Sequence, residues 1–192
     1  TVKTRLGWDD NTKYIVEVAE RLQDVGIQAI SIHGRTRTQM YKGEADWSLI
    51  AEVKNNPRMH IPVFGTGDIS TPEKAVEYKN RYGVDGVMIG RASIGYPWIF
   101  REVKHFIQTG EKMDGPTMVE RIEAAERHLQ MSIEWKGEKL GVVEMRRHYS
   151  NYFRGIPNFK DLRIRLVTED HPQELFATLQ EVKERFGNYE LV

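Results

Sequence analysis

Three short stretches gather side chains and glycines that could work on an anion. "SIHGRTRTQM" places His33, Arg35 and Arg37 directly after an apolar run, "FGTGDI" places Gly65, Thr66, Gly67 and Asp68 after another, and "MIGRA" places Gly90 beside Arg91. Lys3 adds a fourth position in the opening "TVKTR". A plain connecting loop is built mainly from Gly, Pro, Asn, Asp and Ser. Loading one with His and Arg asks for a negatively charged partner. The glycines let backbone N–H groups come close to a ligand, and a following helix start adds positive partial charge, so "GTGDI" and "MIGRA" together resemble a phosphate cradle.

Such groups need elements that bring them to one place. Through the first hundred residues a short β-branched run, a turn and a segment with apolar residues at helical spacing succeed one another. Thr1 to Arg5 reads as a strand, and a helix is expected from Thr12 to Val25, with Ile15, Ala19, Leu22 and Val25 on one face and Gly26 ending it. "AISIH" is the second strand, and Asp46 is placed to cap a short helix carrying Ile50 and Val53. "IPVFG" is the third; after it Thr71 suits an N-cap, Pro72 the first helical position and Glu73 the helix dipole. "DGVMIG" is the fourth, with a short helix expected from near Tyr96. Four successive βα units argue for parallel strands covered by helices, with functional groups where strands give way to loops. If the cradle is the one typical of strands seven and eight of a (β/α)8 barrel, the chain starts at strand five and is a piece of something longer.

From Gly115 the pattern is helical only. Thr117 to Lys136, Lys139 to Phe153, a helix capped by Asn158 and one opened by Pro172 are expected, with "GIP" at Gly155 to Pro157 as a break. The expected fold is therefore α/β: the C-terminal half of a (β/α)8 TIM barrel over 1–114, then a small all-helical domain over 115–192. Between Lys139 and Arg165 the basic residues Lys139, Arg146, Arg147, Arg154, Lys160, Arg163 and Arg165 outnumber the acidic Glu144 and Asp161 by five. Tyr149, Tyr152 and Phe153 lie among them. Basic residues track phosphates and aromatics stack on splayed bases, which suits structured RNA; the alternative is that these aromatics are the core of their own helices.

Composition sets the outer limits. The 192 residues carry 28 basic and 28 acidic side chains, so attraction to a polyanion has to come from local clustering. With no cysteine the chain has no disulfide, thiolate metal site or thiol nucleophile, which is compatible with a reducing, cytoplasmic setting. No apolar run is long enough for a membrane span, and neither metal nor membrane is expected as a partner.

The stretches "TVKTRLGWD", "SIHGRTRTQMYKGEADW", "PVFGTGDI" and "GVMIGRA" closely resemble the C-terminal half of the barrel in the flavin-dependent tRNA dihydrouridine synthases. "EMRRHYSNYFRGIPNFKDLR" resembles that family's helical tRNA-binding domain. The resemblance implies reduction of uridine in tRNA to 5,6-dihydrouridine, using FMN that is recharged by NADPH. It makes Lys3 and His33 flavin contacts, and Gly65, Thr66, Gly67, Asp68, Gly90 and Arg91 the cofactor loops, with Gly67, Gly90 and Arg91 on the FMN phosphate. Arg35 and Arg37 are expected on a rim facing flavin and RNA, and Arg146, Arg147 and Arg154 on tRNA.

The chain departs from the family at two points. Thr66 stands where members usually have Asn, which leaves the loop backbone as the expected contact. The cysteine that acts as the family's general acid belongs to the first half of the barrel and is absent, so this chain alone is expected to be inactive and to self-associate through open barrel edges. Two other functions fit the same residues. One is a different FMN- or phosphate-binding barrel oxidoreductase acting on a small molecule, and the other is a non-catalytic RNA-binding module.

Overall fold

The computed structural model of the chain describes residues 1–190. Strands and helices alternate as β1 (Val2–Arg5), α1 (Ile15–Asp24), β2 (Ile30–His33), α2 (Ser48–Asn55), β3 (Val63–Thr66), α3 (Pro72–Tyr82) and β4 (Gly86–Met88). A 3₁₀ turn at Arg91–Ser93 and α4 (Ile99–Thr109) follow. After these come only helices among the described residues: α5 (Met118–Lys136), α6 (Glu138–Tyr152), α7 (Lys160–Thr168) and α8 (Pro172–Phe186).

The four strands form one sheet in the order β1-β2-β3-β4, every neighbouring pair parallel. Alternation along a strand sends successive side chains to opposite faces. One face carries Ile30, Ile32, Val63 and Gly65, all buried, and shares the interior with Ile15, Ala19, Ile50, Val53 and Ala75 of the helices. The other face carries Lys3 and Arg5, Ser31 and His33, Phe64 and Thr66, then Met88. The register sets Lys3 level with Ser31, Phe64 and Gly86, and Arg5 level with His33, Thr66 and Met88. The chemistry expected from sequence therefore lies on a face of its own, away from the apolar core.

Local signals explain most element ends. Thr71 accepts a hydrogen bond from the Lys74 N–H at 3.2 Å ahead of Pro72, and Gly83 closes α3 in the left-handed conformation. Thr117 and Glu120 form a reciprocal capping box at the start of α5. Five boundaries differ from expectation. Helix α1 begins at Ile15 because Thr12 is engaged in a turn, its hydroxyl meeting Asp9 Oδ1 at 2.9 Å. Val25 is 78% exposed, since it follows the last helical residue instead of lying on the buried face. Trp47 is the residue before α2, yet the Asp46 carboxylate accepts from the Ser48 N–H at 2.9 Å and so caps from one position earlier. Helix α4 starts at Ile99 because Gly95 is left-handed and Tyr96 precedes a proline, which disfavours helix. Asn158 also adopts a left-handed backbone and gives α7 no cap.

The chain divides into two compact units, Thr1–Ser93 with Ile99–Met113, and Ile94–Trp98 with the chain from Asp114 onward. In the second, Met118, Ile122, Ala125 and Leu129 of α5 meet Val142, Met145, Tyr149 and Tyr152 of α6, and α7 and α8 close the core with Leu162, Leu166, Leu175, Leu179 and Val182. Gly141 lets α6 approach the α5 backbone at Ser132 and Ile133, and the Ser132 hydroxyl donates to the Gly141 carbonyl at 3.1 Å.

Candidate functional site

The polar sheet face ends in a cluster of cations around one carboxylate. Asp68, with a left-handed backbone (φ 56), turns its side chain back toward β2. Its Oδ1 accepts from Arg35 Nη1 at 2.9 Å and from Arg91 Nη2 at 3.0 Å, and its Oδ2 accepts from Arg35 Nη2 at 2.8 Å and from the Ala45 N–H at 2.7 Å. Burial works against the charged carboxylate, but the bonds from Arg35 and Ala45 and the charges of Arg35 and Arg91 outweigh it and hold its pKa below the usual range. With four donors on two oxygens Asp68 is saturated, and its charge would repel a phosphate. Its carboxylate organises the cations around it.

Arg35 requires a correction. It is 2% exposed and so does not stand on a rim. Besides Asp68 it donates to the carbonyls of Lys42 at 3.2 Å and Gly43 at 2.5 Å, so every arm of the guanidinium has a protein partner. Arg37, two residues on, is exposed, with its Nη1 2.7 Å from Met40 Sδ. The sheet ladder continues beyond the strands: Leu6 N–H donates to Arg35 O, Arg37 N–H to Gly7 O and Thr38 N–H to Trp8 O. Residues 35 and 37 are thus held in extended pairing with the end of β1.

The glycines divide into two kinds. A Cβ on Gly65 would collide with the Trp47 indole, whose Nε1 donates to Gly67 O at 3.2 Å, so Gly65 serves packing on the apolar face and not ligand approach. Gly67 is left-handed and lies against Ala45 and His33. A Cβ on Gly90 would meet no protein atom within 4 Å, as a backbone N–H open to a ligand requires.

His33 is buried at the end of β2, and its pKa is pushed down to about 4, first by burial and then by the charges of Arg5, Lys3 and Arg35, with Asp68 opposing. It is neutral at pH 7. Lys3, exposed, sits two residues back from the strand end, level with Ser31 and not with His33.

Arg5 and Tyr41 belong to the same cluster and escaped the sequence reading. Arg5 Nη1 donates to the carbonyls of Thr36 at 2.9 Å and Met40 at 3.0 Å. The Tyr41 ring lies 4.6 Å from the Arg91 guanidinium and 5.9 Å from that of Arg5. The signal for Arg5 was its two-residue spacing from Lys3, which puts both on one face. For Tyr41 the sequence offered only an aromatic among basic residues.

In the helical unit, Tyr149, Tyr152 and Phe153 are buried and cannot stack on a base; Tyr149 and Tyr152 of α6, and Phe153 just after it, belong to the core of that unit. The Tyr152 hydroxyl lies 3.2 Å from His128 Nδ1. Arg146 is half-buried and bonded to Asp170 Oδ1 at 2.5 Å and to the Glu169 carbonyl at 3.3 Å. Arg165 pairs with Glu181. Arg147, Arg154, Lys160 and Arg163 are exposed, and Arg154, Lys160 and Arg163 have no side-chain ion pair among the described residues.

Comparison with known proteins now places this arrangement. The model of the dihydrouridine synthase (Dus) family matches residues 1–187. The chain is 46% identical over 174 residues to the probable tRNA-dihydrouridine synthase 1 of Synechocystis sp., covering 91% of this chain and 48% of that protein. It is 41% identical over 180 residues to tRNA-dihydrouridine synthase B of Pseudomonas putida, covering 94% and 53%, and 40% identical over 163 residues to the probable tRNA-dihydrouridine synthase of Rickettsia conorii, covering 85% and 49%. It spans about half the length of these curated relatives. A parallel sheet ending in a cationic cluster, and a family match running through both compact units, together establish that this chain belongs to the dihydrouridine synthase family.

Proposed function

We propose that this chain forms part of a tRNA-dihydrouridine synthase in which the end of the polar sheet face holds the phosphate and ring of FMN. The observation that carries the proposal is an imbalance of charge. Lys3, Arg5, Arg35 and Arg91 gather near a neutral His33 with Asp68 as the carboxylate among them, so the cluster carries an excess of positive charge that an anion would balance. The residues fit a flavin phosphate: the Arg91 guanidinium is more than half exposed and already oriented, and Gly90 leaves its backbone open.

The remaining assignments follow from that placement. Gly67, Gly90 and Arg91 bind phosphate, while Thr66 contributes through its loop. Lys3 and the neutral His33 face the ring, where a preorganised ammonium stabilises negative charge as it develops. Bound FMN, reduced by NADPH, supplies hydride to the uracil of tRNA. Gly65, Asp68 and Arg35 support the site from behind. On this reading residues 1–114 are half of a (β/α)8 barrel, and residues 115–192 are a helical tRNA-binding domain that uses Arg147 and Arg154 with Lys160 and Arg163. The barrel rim contributes Arg37. The proton donor to uracil is a cysteine that these residues do not contain, so the 192-residue chain by itself is inactive.

The full-length protein is expected to purify with FMN, to form dihydrouridine in unmodified tRNA when given NADPH, and to lose flavin on Arg91→Ala. Full-length protein without flavin, and unable to take it up, would overturn the proposal.

A further inference from the structure

Tyr41 is an exposed aromatic held with unusual firmness. It is 57% exposed in a turn, and the residue before it and the two after it are tied down through their carbonyls: Met40 to Arg5 Nη1, Lys42 to Arg35 Nε and Gly43 to Arg35 Nη2. Its ring lies over Arg91, with the guanidinium carbon 4.6 Å from the ring centre, and the Arg5 guanidinium is 5.9 Å away. An exposed arginine ordinarily samples many rotamers, and a ligand that needs it in one of them pays for that ordering. Arg91 is instead gripped from two directions, by Asp68 Oδ1 at 3.0 Å and by the face of Tyr41. No polar partner of the Tyr41 hydroxyl enters this geometry; what Arg91 meets is the ring.

We propose that Tyr41 is a positioning residue for the anion site: its ring holds the Arg91 guanidinium ready for a phosphate, and thereby couples the 36–43 turn to the occupancy of that site. The inference rests on the flavin reading above. A cation over an aromatic face is stabilised by the ring quadrupole, which phenylalanine also provides. The effect is confined to the part of the ligand that Arg91 touches.

The test compares FMN with riboflavin, which lacks the phosphate, on full-length protein stripped of cofactor. Tyr41→Leu is expected to weaken FMN by roughly two- to fivefold, the size of an exposed cation–π contact, and to leave riboflavin affinity unchanged. Tyr41→Phe is expected to restore FMN affinity, and Tyr41→Leu combined with Arg91→Ala to bind FMN no more weakly than Arg91→Ala alone. Equal weakening of FMN and riboflavin would overturn the inference, since it would mark a general loss of structure; so would additivity with Arg91→Ala, or FMN binding unchanged in Tyr41→Leu. Wild-type protein that binds riboflavin as tightly as FMN, or binds neither, would overturn the flavin-phosphate reading and this inference with it.

Discussion

Arg35 and Asp68 form a two-point ion pair, Nη1 to Oδ1 at 2.9 Å and Nη2 to Oδ2 at 2.8 Å, in which the arginine side chain is 2% exposed. Removing the carboxylate would leave a buried guanidinium without a counter-charge, the case in which breaking an ion pair is most costly. Asp68→Ala should therefore lower stability by about 3 kcal/mol, measured by denaturant unfolding of the full-length protein. Asp68→Asn, which keeps an acceptor, should fall between that variant and wild type. A loss below about 0.5 kcal/mol, the size expected at an ordinary surface position, would count against the buried pair.

Acid should act on this cluster, and on His148 of the helical unit, in two stages. His33 and His148 have their pKa values pushed down to about 4, both first by burial. For His148 the charges of His128 and Arg147 add to this. An unfolded chain takes up these protons near pH 6.5, while the folded one stays neutral until about 4. Protons thus favour the unfolded state, and stability should fall as pH drops from 6.5 toward 4. Asp68 has the opposite origin and the same direction. Its folded pKa is depressed, so its contribution is present above 3.8 and lost as pH falls through the lower folded value. An NMR titration of the imidazoles checks the first stage: His33 and His148 should stay neutral at pH 6, whereas the exposed His171, raised by its bond to Glu169, should be charging.

Glycines 65 and 90 should respond in opposite ways to alanine. At Gly65 the new methyl meets Trp47, so Gly65→Ala is expected to cost about 1–3 kcal/mol and to shift the fluorescence of that buried indole. At Gly90 it meets nothing in the protein, so Gly90→Ala should leave stability within about 0.5 kcal/mol and lower FMN affinity by obstructing the phosphate. Equal effects on stability would remove the distinction between a packing glycine and a ligand glycine.

The basic residues of the helical unit also separate. Arg147→Ala and Arg154→Ala should weaken tRNA binding and flatten its salt dependence, each by just under about one unit of log–log slope, without altering flavin content. Arg146→Ala should act on stability instead, through the lost bonds to Asp170 and the Glu169 carbonyl. Salt titrations of tRNA binding beside thermal unfolding separate the two effects. An Arg147→Ala, Arg154→Ala double variant with unchanged affinity would return that face to plain solvation.

These contrasts show where sequence was sufficient and where it was not. Strand and helix identity followed from apolar spacing, and the cap at Thr71 from local chemistry, because each depends on residues within a turn of one another. Arg35 and Arg37 looked equivalent in "GRTRT"; only the partners supplied from elsewhere, Asp68 and the Lys42 and Gly43 carbonyls, bury Arg35 while Arg37 stays exposed. Gly65 looked like a ligand glycine because nothing near it in the chain reveals Trp47. Tyr149, Tyr152 and Phe153, interleaved with arginines, fitted base stacking and a helical core alike; the spacing from Met145 carries Tyr149 and Tyr152 into the core.

The stretch from Gly34 to Trp47 has no regular secondary structure, yet it is stitched to both neighbours. On one side it pairs with residues 6–8, and on the other Gly34 N–H donates to Thr66 O and Ala45 N–H to Asp68. Amides held in this way exchange with solvent only when the bonds across the sheet open, so deuterium uptake at Gly34, Arg37, Thr38 and Ala45 should be slow and should track the strands. The surface that carries Arg37 and Tyr41 would then behave as rigid scaffold, and a tRNA approaching it would have to adapt its own shape.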